Sequence, residues 1–116
     1  MENGTKNYRI DYIEFTTVNV QTVKHFYQKV FEWEFTDYGP DYTSFHDGRL
    51  SGGFRTGNAS AENNILIVLY ASDLESIKEK ITAAGGTITR DIFEFPGGRR
   101  FHFRDPAGME LAVWSE

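Results

Sequence analysis

Polar and apolar residues alternate over residues 8–17, with Ile10, Tyr12 and Glu14 on one side and Asp11, Ile13 and Phe15 on the other. That pattern predicts a strand with two distinct faces. The period then lengthens. Val20, Val23, Tyr27, Val30 and Phe31 recur at helical spacing behind Asn19, a good N-cap, and Phe26 widens the stripe. Three short strands are predicted next, over residues 33–38, 42–46 and 50–55, divided by Gly39-Pro40 and by the hairpin signal Asp47-Gly48. Residues 56–63 are small and polar and read as a linker.

The second half repeats the first. A strand over residues 64–70 points Ile65, Ile67 and Leu69 one way and Leu66, Val68 and Tyr70 the other. Ser72-Asp73-Leu74-Glu75 reads as a capping box with Ser72 as N-cap. Leu74, Ile77, Ile81 and Ala84 form the helical stripe, and Gly85-Gly86 stops it. Strands over 87–91, 99–104 and 109–114 follow. The expected fold is therefore α+β: two βαβββ modules whose curved mixed sheets enclose a cavity. The chain reads as one domain over 1–116, with module 1 at about residues 8–56, a linker at 57–63 and module 2 at about 64–115. In register, Val20 matches Leu74, Phe45 matches Phe103 and Gly53 matches Ala112.

Strand parity sorts the side chains. Ile13, Phe15, Phe45, Ile65, Ile67, Leu69, Phe101, Phe103, Leu111 and Val113 are expected under the helices. The opposite face carries Tyr12, Glu14, Tyr42, Ser44, His46, Ser51, Gly53, Arg55, Leu66, Val68, Tyr70, Arg100, His102, Arg104, Glu110, Ala112 and Trp114. Its crowding with polar and aromatic residues is the best sign of a binding surface in the sequence.

Composition narrows the partners. Ten Phe and six Tyr in 116 residues exceed what two thin sheets need, so some aromatics are expected to line a cavity. A net charge of −5 without a Lys/Arg run argues against nucleic acid or an anionic membrane. With no cysteine, thiolate catalysis and Cys-based zinc sites are excluded. No apolar run approaches the ~18 residues of a membrane span, and the polar start offers no signal segment, so a cytoplasmic protein is expected. Exposed sheet edges in so short a chain suggest a homodimer.

Four segments carry a resemblance: Val18-Asn19-Val20 leading into residues 25–33 with Phe26-Tyr27, then Ala71-Ser72-Asp73-Leu74, then Ala84-Gly85-Gly86, and finally Phe103-Arg104-Asp105-Pro106-Ala107-Gly108. In this order the chain resembles the vicinal oxygen chelate superfamily of glyoxalase I, extradiol dioxygenases and bleomycin-resistance proteins, over residues 8–114. The resemblance implies the paired-module fold and, in that family's enzymes, a divalent metal held by four side chains, one from the first and one from the last strand of each module. The matching positions here are Tyr12, Gly53, Leu66 and Ala112. None of the last three has a ligating side chain, and a neutral Tyr is a poor ligand, so no metal and no other cofactor is expected there.

Three functions remain in view. The first is a small glyoxalase-like, bleomycin-resistance-like protein that binds a small organic molecule between its modules without metal, through Tyr12, His46, Arg55, Leu66, Arg100, His102 and Trp114. The second is a metal-dependent lyase or dioxygenase using displaced ligands, since Glu14, Glu110, His46 and His102 share one parity. The third is a metal-free isomerase or epimerase with Glu14 or Glu110 as base and His102 or Arg100 beside the enolate. The catalytic candidates are thus Glu14, His102 and Glu110, and the sequence does not decide whether the protein is an enzyme. Arg99-Arg100 reads equally as a grip for a carboxylate or phosphate and as a charged strand edge.

Overall fold

A computed structural model describes residues 6–58 and 64–116. Its elements are β1 (Ile10–Thr17), α1 (Val20–Phe31), β2 (Glu34–Asp37), β3 (Tyr42–His46), β4 (Ser51–Thr56), β5 (Ile65–Tyr70), α2 (Leu74–Ala83), β6 (Thr87–Phe95), β7 (Gly98–Arg104) and β8 (Glu110–Ser115). The order βαβββ thus runs twice, and the fold is α+β with two such modules. Most of the expected linker, residues 59–63, lies outside the described residues. By contacts the chain divides into two compact units: residues 12–66, and residues 67–116 together with the N-terminal residues up to Asp11.

In the unit of residues 12–66 the strand order is β2-β3-β4-β1. β1 runs parallel to β4, with Glu14 opposite Gly53 and Phe15 opposite Phe54, and the other pairings are antiparallel. Asn19 caps α1 by accepting from the Thr22 N–H at 3.1 Å. The helix ends at Glu32, whose φ of 61° turns the chain out of the helical path. Val20, Phe45 and Phe54 form the buried core, with Phe15, Val23, Tyr27, Trp33 and Phe35 packed on them. Trp33 stacks between Tyr27 and Phe45, at 4.5 and 4.6 Å. Much of the aromatic surplus therefore fills this helix–sheet layer, where a large ring buries most area per residue.

The other unit repeats the plan in the order β5-β8-β7-β6. β5 runs parallel to β8 with Val68 opposite Ala112, the pair equivalent to Glu14 and Gly53 in the first module. The internal repeat read from the sequence is therefore exact at the strands where it matters for the site. Leu74, Phe101, Ala71 and Val113 form the core beneath α2, with Ile77, Ile81, Ile88, Ile92 and Phe103 around it.

Four local expectations need correction. The N-cap of α2 is Asp73, which accepts from the Ser76 N–H at 3.0 Å; Ser72 instead gives its own N–H to Asn7 Oδ1. An aspartate caps as well as a serine, and the contact to Asn7 takes Ser72 out of the capping position. β6 continues to Phe95 rather than stopping at residue 91, because two register shifts against β7 absorb the break in alternation. Ile65, expected under a helix, is 53 % exposed at the start of its strand. Val68 and Tyr70, expected on the polar face, are 2 % and 1 % exposed. Tyr70 is covered by the edge-on ring of Trp114 and by the Lys6 ammonium, and its hydroxyl donates to Glu116.

Candidate functional site

Within residues 12–66, β1, β3 and β4 bring Tyr12, Glu14, Tyr42 and Arg55 together on the face away from α1. Tyr42 donates its hydroxyl to Glu14 Oε2 at 3.0 Å. Its oxygen lies 2.7 Å from that of Tyr12, and since Tyr42 has spent its only hydrogen, Tyr12 is the donor of that pair. The result is a directed chain, Tyr12 to Tyr42 to Glu14, ending on a carboxylate only 6 % exposed. Arg55 Nε stands 3.9 Å from the other carboxylate oxygen, with half of its side chain in solvent. Burial and then the Glu14 charge hold the Tyr42 hydroxyl in its protonated form far above the ordinary tyrosine range.

Gly53 makes this arrangement possible. A Cβ built there would meet the Tyr42 oxygen at 2.1 Å and the Tyr12 oxygen at 2.6 Å. His46 does not join the group. It is exposed at the end of β3, with Nδ1 3.2 Å from the Leu50 carbonyl oxygen of its own turn. Leu66, half-buried on β5, adds an apolar side chain only.

In the other unit, the face away from α2 holds His102 opposite Ala112 and Glu110 opposite Arg104. His102 Nδ1 lies 3.4 Å from Glu110 Oε2, and the Thr89 hydroxyl donates to the same oxygen at 3.0 Å. Burial, with the Arg100 charge next, lowers the imidazole's pKa against the opposing pull of Glu110. A neutral ring facing a carboxylate carries its proton on Nδ1 and donates it to Glu110. That leaves Nε2 as a lone pair, buried and without a hydrogen-bond partner among the described residues.

Trp114 is held by two neighbours in its own unit. Its indole N–H donates to Asp11 Oδ2 at 2.9 Å, and its ring packs on Tyr70. Arg99 and Arg100 also part company. Arg99 reaches Glu75 on α2 at 3.0 Å, while Arg100 lies on the opposite face near Phe93 and Phe95. The sequence reading missed Thr89, Arg90 and Phe93 as members of this face. The bulged register of β6 puts them there, and simple alternation does not reveal a bulge. An apolar cavity of ≈ 160 Å³ in this unit lies on the helix side, against Ile77, Ile81 and Phe103, apart from these polar groups.

The family's metal positions do not fit a metal. The room that a ligating side chain at position 53 would need is taken by two tyrosine hydroxyls, and Ala112 is fully buried with nothing to donate. Tyr12 spends its hydroxyl on Tyr42, and Leu66 has no donor. Among the described residues no three His, Asp or Glu side chains converge on a point.

Two curved helix-backed modules with this repeat define a paired-module α+β fold. The sequence model of the Glyoxalase/Bleomycin resistance protein/Dioxygenase superfamily matches residues 9–113, and the chain belongs to that superfamily. Among solved structures it is similar to a superfamily member from Vibrio splendidus 12B01, with a TM-score of 0.71 and 11% identity, over 93% of this chain and 98% of that one. It is also similar to the Mn(II)-bound glyoxalase from Novosphingobium aromaticivorans, with a TM-score of 0.70 and 23% identity, over 95% of this chain but 39% of that longer one. Methylmalonyl-CoA epimerase from Mycobacterium tuberculosis superposes with a TM-score of 0.65 at 9% identity, over 91% of this chain and 86% of that one. Among curated proteins none matches the sequence. Identities this low establish the fold and leave the chemistry to the residues.

Proposed function

We propose that the protein binds a small organic molecule on the polar faces of its sheets, without the divalent metal that the family's enzymes use. The observation that carries this reading is the Tyr12–Tyr42–Glu14 chain, which fills the space of the metal-binding side chain at position 53. A site so filled offers hydrogen-bonding and aromatic surface in place of Lewis acidity.

The test is a thermal-shift series on the full chain. Mn²⁺, Ni²⁺ and Zn²⁺ are expected to leave the melting temperature unchanged, and at least one member of a panel of small organic acids, amines and aromatic compounds to raise it. A stoichiometric metal in the purified protein, or a metal-dependent rise in melting temperature, would overturn the proposal.

A second, catalytic reading has one observation behind it. A neutral His102 oriented by Glu110 is the arrangement of a general base, as a metal-free isomerase or epimerase requires. Once a ligand is found, His102→Ala should retain its binding and lose any exchange of ligand hydrogen with solvent deuterium. A ligand that never exchanges, even with the native protein, removes this reading and leaves the binding function intact.

A further inference from the structure

The two modules place matching residues under their helices, and the match exposes a gap. Through the repeat, Phe15, Val23, Tyr27, Phe45 and Phe54 correspond to Leu69, Ile77, Ile81, Phe103 and Val113. In the first module this layer is closed by rings. Phe54 stacks on Phe15 at 5.2 Å and on Tyr27 at 5.6 Å, and Trp33 stacks between Tyr27 and Phe45. In the second module Phe15, Tyr27 and Phe54 are replaced by Leu69, Ile81 and Val113, which are aliphatic. Trp33 has no aromatic counterpart there, since α2 is followed by Gly85, Gly86 and Thr87. The matched residues of the second module line the apolar cavity of ≈ 160 Å³ on the helix side of its sheet. Space that rings fill in one module is left open in the other.

We propose that this cavity is a second ligand site, which takes one neutral aromatic ring of a small molecule. It lies on the opposite side of the sheet from His102 and Glu110 and is independent of the function proposed above. Size sets the occupant first: an apolar cavity of about 150 Å³ stays dry and admits benzene. Chemistry agrees, because Leu69, Ile77, Ile81, Phe103 and Val113 present hydrocarbon alone, and Tyr70 beside them gives its hydroxyl hydrogen to Glu116. A charged group entering here would lose its hydration without gaining a partner. The mouth is also built. Tyr8 lines the cavity while remaining exposed, and the Lys80 ammonium from α2 lies 5.7 Å from the centre of its ring. Its φ of 67° is in the left-handed region, where an aromatic residue is strained, and its N–H is held there by the Tyr70 carbonyl oxygen. That strained turn sets a ring at the entrance, against which a bound ring can pack.

Methyl ¹H–¹³C spectra of the full chain test the site, with benzene added in one titration and sodium benzoate, at constant ionic strength, in another. Benzene should give saturable shifts confined to the methyls of Leu69, Ile77, Ile81 and Val113. Benzoate should leave them unmoved, because its carboxylate would enter the layer unpaired. Ile81→Phe returns a ring to the position that Tyr27 holds in the first module, and by filling the cavity should weaken benzene binding about tenfold or more. If that variant does not fold, Leu69→Phe, at the counterpart of Phe15, should show the weakening. No saturable shift with benzene in the native protein, saturation only at methyls outside this layer, or undiminished binding in a folded, filled variant overturns the site. Saturation of the same methyls by benzoate overturns its assignment to a neutral ring.

Discussion

Gly53 leaves the space that the Tyr42 hydroxyl occupies: a side chain at 53 would begin 2.1 Å from that hydroxyl. That hydroxyl is the far end of a side chain, but it is pinned between Tyr12 and Glu14 and cannot simply swing aside. Gly53→Ala should therefore destabilise the protein by about 1–3 kcal/mol, as overpacking of a filled site does. Urea denaturation measures it, and a variant as stable as the native protein would show that the hydroxyl chain is loose.

The same hydroxyl predicts an alkaline limb. The folded state keeps Tyr42 protonated well beyond the pH at which an unfolded tyrosine ionises, near 10.0. Above that value the unfolded chain releases a proton that the folded chain retains, so stability falls as pH rises. Tyr42→Phe should lose about 1.5–3 kcal/mol at neutral pH, through the bond to a charged Glu14, and show a shallower decline above pH ~10. Parallel declines in the two proteins would contradict this. Tyr70, whose bond to Glu116 pushes its hydroxyl to about 12, contributes equally in both and cancels from the comparison.

His102 predicts the opposite limb. Its folded pKa lies below the ordinary 6.5, so as pH falls through that value the unfolded state takes up a proton first. Stability present at neutral pH is then lost toward acid, until the folded state also protonates. The difference in melting temperature between pH 7 and pH 5 should be smaller in His102→Gln than in the native protein. Direct NMR titration of the ring should place its midpoint below 6.5.

Neighbouring residues of one strand should respond very differently to substitution. Phe103 packs beneath α2 with Leu74 and Ile81, whereas His102 points to the other face. Phe103→Asp puts an uncompensated charge into that layer and should cost several kcal/mol or abolish folding, while His102→Ala should cost little. Equal stabilities by thermal denaturation would refute the assignment of faces.

What the sequence made legible follows from periodicity. Both helices, the repeated βαβββ order and the burial of Phe45, Phe101 and Val113 come directly from alternation and helical spacing, because each face of these elements meets one environment. Asp73 in place of Ser72 is an ambiguity that two adjacent capping residues create and only a tertiary contact to Asn7 resolves. The Tyr12–Tyr42 bond joins residues 30 apart, and nothing local in either strand announces it. Arg90 and Phe93 stayed hidden because bulges break the two-residue period at the place where the side chains are re-aimed. The missing metal ligands at Gly53 and Ala112 were readable as residue types. What occupies the space instead was not.

The hydrogen bond from Trp114 to Asp11 spans 103 residues, and Tyr8 and Arg9 exchange backbone bonds with Tyr70 in the same unit. During synthesis, residues 12–66 emerge as an uninterrupted stretch that already contains β2, β3, β4 and most of β1. The segment before them waits for a partner 103 residues further on, and closing so long a loop is slow. The N-terminal residues should therefore be the last to gain protection in pulse-labelled hydrogen exchange on a nascent or refolding chain, after α1 and β4. In the order of folding, residues 8–11 belong with β8 rather than with the strand they lead into.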